Sequence, residues 1–194
     1  MDPSSDTRAP ILAEPFASLA AYLERFGDSS DELQYEVVDG QPVVSSAPGG
    51  AHQRCVRALL LALVAGTPPG HEVMVAPWDW VLWEFPHLTV RQPDLVVVRS
   101  ELAARDRITE PPLLAVEVIS PGSFERDAVT KRSEYARAGL NDYWIADPAT
   151  SEVFVYRRVG AELKLHEVVD ASEPQTIAAP FPVHPTIGEP SRTG

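Results

Sequence analysis

The run LLAVEVI, residues 113–119, places the tightest limit on what this chain can fold into. An apolar run without polar alternation suits a strand covered on both faces. The run LVVV, residues 95–98, has the same character. Two such strands require a central sheet with a layer on each side. Glu117, between Val116 and Val118, is then a charge among apolar side chains. A carboxylate there is costly unless a bound cation or a paired lysine compensates it.

The remaining segments supply the layers. Leu19, Tyr22, Leu23 and Phe26 recur at helical spacing and Gly27 stops the pattern. Two β-prone runs flank Asp39-Gly40, which predicts a hairpin over residues 35–45. After Gly49-Gly50, the stripe Cys55, Val56, Leu59, Leu60, Leu63 and Val64 predicts an amphipathic helix ending at Gly66. Residues 73–85 read as extended, residues 124–138 as a helix closed by Gly139. Residues 143–146, 153–156 and 163–168 read as strands, with Asp147-Pro148 turning the first into the second. The expected fold is therefore α/β of the α+β kind, a central mixed β-sheet flanked by helices. The elements do not alternate as βαβα, and no Gly-rich loop follows a strand, so a Rossmann or P-loop reading is weak.

At 194 residues the chain is one domain in length. Its 19 prolines gather near both ends and in loops. The expected division is a flexible N-terminal tail at 1–14, one domain at 15–172 and a Pro-rich C-terminal tail at 173–194. The formal charge of −12 excludes attachment to nucleic acid by bulk charge. Contact would need a local patch, for which Arg54, Arg57 and Arg91, or Arg126, Arg132 and Arg137, are the candidates. Cys55 is the only cysteine, which excludes an internal disulfide and a Cys-based zinc site. With no basic, apolar leader and no long apolar run, the expectation is a cytoplasmic protein without membrane contact.

Asp94 opens the strand LVVV after Pro93, Glu117 lies inside the second apolar run, and Lys131 lies on the helix that follows. Only two lysines occur in the chain. Adjacent strands can bring Asp94 and Glu117 to one sheet end, where two carboxylates suit a hard cation such as Mg²⁺. Each residue alone also has a plain reading. Glu117 suits an exposed strand face, Asp94 suits a turn, and Lys131 suits a surface pair with Asp127 at i,i+4.

Taken in order, QPDLVVV, LLAVEVISPGS, RDAVTKRSEYARAGLNDYWIADP and VFVYRR resemble the Uma2 family of bacterial endonucleases, within the PD-(D/E)XK, or restriction-endonuclease-like, superfamily. The hairpin YEVVDGQPVV followed by HQR extends the resemblance, which covers about residues 33 to 157. It implies a restriction-endonuclease-like core with Pro93-Asp94 as the PD element and Glu117 as the second acidic position. By the same resemblance Asp94, Glu117 and the carbonyl of Val118 hold Mg²⁺ or Mn²⁺. Ile119 stands where the superfamily lysine would be, and Lys131 matches the lysine displaced to the next helix. Glu36 and His52 match two further polar positions, as auxiliary residues of the site. The implied activity is metal-dependent hydrolysis of phosphodiester bonds in DNA. An inactive binding or assembly module, such as half of a homodimer, and a nuclease for RNA or another phosphoester stay open beside it. Asp147 reads as a turn cap, Tyr135 and Trp144 as core. The series Trp78, Trp80, Trp83 reads as sheet packing or a dimer surface rather than a platform for bases.

Overall fold

The computed structural model describes residues 15–16, 18–26, 35–44, 47–120 and 126–188. The chain runs through α1 (Leu19–Phe26), β1 (Tyr35–Val38), β2 (Gln41–Val44), α2 (Gly50–Gly66), β3 (His71–Val75), β4 (Asp79–Trp83), β5 (Thr89–Arg91) and β6 (Leu95–Arg99). There follow α3 (Ser100–Ala103), β7 (Arg107–Ile108) and β8 (Leu114–Val118). A π-helical turn (Arg126–Lys131) then leads into α4 (Arg132–Arg137), before β9 (Asp142–Asp147), β10 (Glu152–Val159) and β11 (Glu162–Asp170). Asp39 and Gly40 both have positive φ, 52° and 80°, so β1 and β2 are joined by the primed turn that the Asp-Gly pair favours.

The expected central mixed sheet has six strands in the order β11-β10-β9-β8-β6-β3. All neighbours are antiparallel except β8 and β9, which the helical segment between them connects in parallel. A second sheet, β2-β1-β5-β4-β7, was not evident from the sequence. Strands β5 and β7 have three and two residues, too few for a periodic signal.

The continuous apolar runs are buried on both faces. Leu95, Val97, Leu114, Val116 and Val118 pack with Cys55, Val56, Leu59 and Leu63 of α2. Val96, Val98 and Ala115 pack on the other face with Trp80, Tyr135 and Ala136. Glu117, by alternation, shares that second face with Ala115. A third cluster joins Phe16 and Tyr22 to Val37, Val81 and Val90 of the second sheet. The tryptophans serve packing: Trp80 stacks on Tyr135 at 5.0 Å, and Arg137 lies 4.2 Å over Trp83.

The Pro-rich C-terminal segment differs from the expected tail as far as residue 188. Ile177, Phe181, Val183 and Ile187 are buried in the α2 core, and Ile177 and Val183 bridge through two backbone hydrogen bonds of 2.9 Å. Alternating apolar residues between prolines fill the space beside α2, where a Cβ on Gly66 would lie 2.6 Å from the Pro182 carbonyl oxygen. Residues 1–14 and 189–194 lie outside the described residues. Among the described residues, no helix is long and apolar enough to cross a membrane.

Candidate active site

Strands β6 and β8 pair antiparallel with Leu95 opposite Val116. Asp94 directly precedes Leu95 and Glu117 directly follows Val116, so both stand at the same end of the sheet. Asp94 is fixed there because its Oδ2 accepts the Val118 N–H at 2.7 Å. The same oxygen lies 3.3 Å from Nε2 of His52, in the first turn of α2. His52 is buried, and its Nδ1 has no hydrogen-bond partner among the described residues. The Asp94 side chain retains 20% exposure, which makes it the accessible member of the group.

Glu117 faces the helix. Lys131 Nζ lies 2.8 Å from Glu117 Oε1, and the Tyr135 hydroxyl donates to the same oxygen at 2.7 Å. Lys131 and Tyr135 are four residues apart, so one helix face presents both. Lys131 is 4% exposed, which removes the reading as a surface pair. It also lies 3.2 Å from Oε1 of Glu36 on β1. Glu36 in turn accepts from Nη1 of Arg91 at 2.9 Å and from the Gln92 N–H at 3.2 Å. Burial alone would raise the pKa of Glu36, but Lys131, Arg91 and the Gln92 N–H outweigh it and hold the carboxyl below the ordinary value.

All five side chains singled out in the sequence, Glu36, His52, Asp94, Glu117 and Lys131, thus lie in one connected group. Three participants were missed. Arg91 is no surface rim: it is 2% exposed and forks onto Glu134 through Nε at 2.8 Å and Nη2 at 2.9 Å. Burial works to lower its pKa, while Glu36 and Glu134 raise it further, so it stays cationic. Glu134 is the second of the three. Tyr135 is core as expected, yet its hydroxyl belongs to the site. Burial, then the Glu117 charge, push its pKa well above 10.0, so it remains a donor. The available signals were an arginine inside the short run TVR and a tyrosine one helical turn after Lys131.

Among the described residues, four carboxylates (Glu36, Asp94, Glu117, Glu134) against two cations (Arg91, Lys131) leave this network with a formal excess of two negative charges. That deficit fits one divalent cation. Among the described residues no three His, Cys, Asp or Glu side chains converge as a complete metal cage. Two carboxylates completed by water and phosphate oxygens are instead the usual protein contribution to Mg²⁺. The donor set therefore fits that ion.

A six-stranded mixed sheet flanked by helices, with Asp94 and Glu117 at one end and a lysine from the next helix, defines a restriction-endonuclease-like domain. The Uma2 family, described as "Putative restriction endonuclease", matches residues 19–186, and the chain belongs to that family. A crystal structure of a putative nuclease belonging to DUF820 from Anabaena variabilis is similar at a TM-score of 0.65 and 19% identity. The likeness covers 84% of this chain and 89% of that one, and it is a likeness of fold. A comparison with curated proteins found no match.

Proposed function

We propose that the domain is a metal-dependent endonuclease that hydrolyses phosphodiester bonds in DNA. The observation that carries this reading is that Asp94 accepts the N–H of Val118, the neighbour of Glu117, at 2.7 Å, while Lys131 Nζ lies 2.8 Å from Glu117. Asp94, Glu117 and the Val118 carbonyl would hold Mg²⁺ or Mn²⁺. The ion, when bound, supplies charge neutralisation at the phosphate and makes water more acidic. Val118 N–H and His52 orient Asp94, while Lys131 and Tyr135 orient Glu117. Lys131, beside Glu117, would supply an ammonium that can orient a water and offset charge building on a phosphate. Glu36 and Arg91 fix Lys131 in turn.

Purified protein with plasmid and single-stranded DNA tests the reading. Cleavage is expected with Mg²⁺ or Mn²⁺, none with EDTA, and losses of at least about a hundredfold in Asp94→Ala, Glu117→Ala and Lys131→Ala. Cleavage that survives in all three variants would sink it. A raised melting temperature on adding Mn²⁺, absent in Asp94→Ala, gives a second readout without substrate.

One observation favours a second reading. Glu117 is 4% exposed and already engaged by Lys131 and Tyr135, as a purely structural ion pair would be. On that reading the domain is an inactive binding or assembly module. Stability would then fall in the Lys131 variant, while no metal-dependent cleavage would appear in the wild type.

A further inference from the structure

Among the described residues, the smaller sheet ends at β2 and β7 and the larger at β3 and β11. An open edge invites pairing with another chain, and proteins blunt it with proline, lysine, a bulge or brevity. Three of these edges carry such a device. β2 holds Pro42, and β7 has two residues. β11 carries Lys164 and meets β10 across a register shift at Val155/Tyr156. β3 has none of them. Its sequence HEVMV holds no proline or lysine, and it pairs with β6 without a break.

The pairing with β6 decides where the remaining backbone groups of β3 point. In an antiparallel ladder alternate residues turn their N–H and C=O toward the partner. The Ala76 N–H donates to the Asp94 carbonyl at 3.0 Å, and the Ser100 N–H to the Gly70 carbonyl at 2.9 Å, so even-numbered residues face β6. His71, Val73 and Val75 therefore aim their backbone groups away from the sheet. The His71 N–H turns back to the Pro68 carbonyl at 3.2 Å. Its C=O and both groups of Val73 and Val75 are left for a further strand. The side chains beside this edge are apolar. Val75 is 41% exposed, and Val64 on α2 is 60% exposed. One flank of α2, with Ala51, Ala58 and Ala62, faces Pro148 and Ile187. At 3.6 residues per turn Leu60 and Val64 lie on the other flank, on the side of β3.

We infer that β3 of a second copy covers this edge, paired antiparallel about a two-fold axis through Val73. Only odd-numbered residues offer groups, so odd must oppose odd. The register centred on Val73 is the one of these that spans the whole strand. It forms four hydrogen bonds, two within the Val73 pair and one from each Val75 N–H to the His71 carbonyl opposite. Glu72, the only carboxylate on β3, then stands opposite a methionine, Met74. No like charges are opposed, which matters between two chains of charge −12. A two-fold axis across the strand pair keeps both copies of α2 on one face of the joined sheet, so Leu60 and Val64 meet their counterparts. Such a self-complementary patch is what a two-fold dimer requires. A foreign strand would gain the backbone bonds without the second helix.

Sedimentation of the whole chain over a concentration series tests the dimer. Wild type should sediment as two chains and Val75→Lys as one, because a lysine on the edge opposes pairing. Leu165→Lys, the same change at an exposed position of β11, should stay dimeric. Val75 is exposed, so circular dichroism of Val75→Lys should match wild type. The register has its own check. Residues opposed in a hydrogen-bonded antiparallel pair have Cα atoms about 5.5 Å apart, within reach of a disulfide. Val73→Cys should therefore form a covalent dimer under mild oxidation, while Glu72→Cys should not. Cys55, 1% exposed, does not compete. A dimer that survives Val75→Lys, or cross-linking by Glu72→Cys and not by Val73→Cys, overturns the proposal. So does a wild type that sediments as a single chain, which assigns the edge to a foreign strand or to none.

Discussion

Lys131 and Tyr135 meet on a single oxygen of Glu117, and the lysine continues to Glu36, so each group depends on the next for its charge to be tolerated. Lys131→Met removes a cation from between two buried glutamates, and a loss of about 3–5 kcal/mol is expected in urea denaturation. Tyr135→Phe removes one donor and keeps the ring, for about 1–3 kcal/mol. Glu117→Gln combined with Lys131→Met should cost less than the two single losses together, by about 0.5–3 kcal/mol. Acid should act here first. The pKa of Glu36 is lowered from 4.5, so its contribution to stability is present above that value and fades as pH falls through the lower folded value. Urea midpoints measured downward from pH 5 should therefore fall, and Glu36→Gln should flatten that limb. A charge in an apolar run made Glu117 legible in the sequence, the scarcity of lysine drew attention to Lys131, and the family resemblance added Glu36 and His52. Arg91 and Tyr135 were not legible as site residues because their partners are remote. Arg91 is 55 positions from Glu36, and Tyr135 is 18 from Glu117.

Among the elements, local chemistry was readable wherever it decided the outcome. Asp39-Gly40 dictates its turn, and Gly139, at φ 99°, ends the helix that carries Lys131. The apolar runs gave β6 and β8. The segment after residue 173 misled because prolines interrupt any strand period, although every second residue from Phe181 to Ile187 is buried. Its contribution can be measured directly. Ile177→Ala would empty a fully buried position in the core shared with α2, Leu59 and Leu63. A cost of about 2–5 kcal/mol is expected for such a cavity, against about 0.5 kcal/mol or less for a change in a loose tail. Thermal or urea denaturation distinguishes the two.

At the scale of the whole molecule, two apolar layers share the six-stranded sheet, and the polar group sits at its end, where both layers stop. Cys55 lies in the α2 layer, 1% exposed and close to that end, and so reports how firmly the layer is closed. Its thiol is pushed from 9.0 up to about 12, by burial first and then by the charges of Asp94 and Asp147. Only the thiolate attacks a disulfide reagent, so at pH 8 the native fraction available is about one in ten thousand, before access is considered. The native protein should accordingly leave Ellman's reagent almost untouched at pH 8, while protein in concentrated urea reacts at once. The sign of the linkage follows. A raised thiol pKa stabilises the fold fully below 9.0, and that contribution is lost as pH rises toward about 12. If the layer opens only by global unfolding, Ile177→Ala should accelerate labelling by the factor its lost stability predicts, about tenfold for each 1.4 kcal/mol. Labelling that is fast in the wild type, or indifferent to Ile177→Ala, would mean that α2 lifts from the sheet on its own. The same hinge would then expose His52 and Asp94, and the end of the sheet would be a mobile site rather than a preformed one.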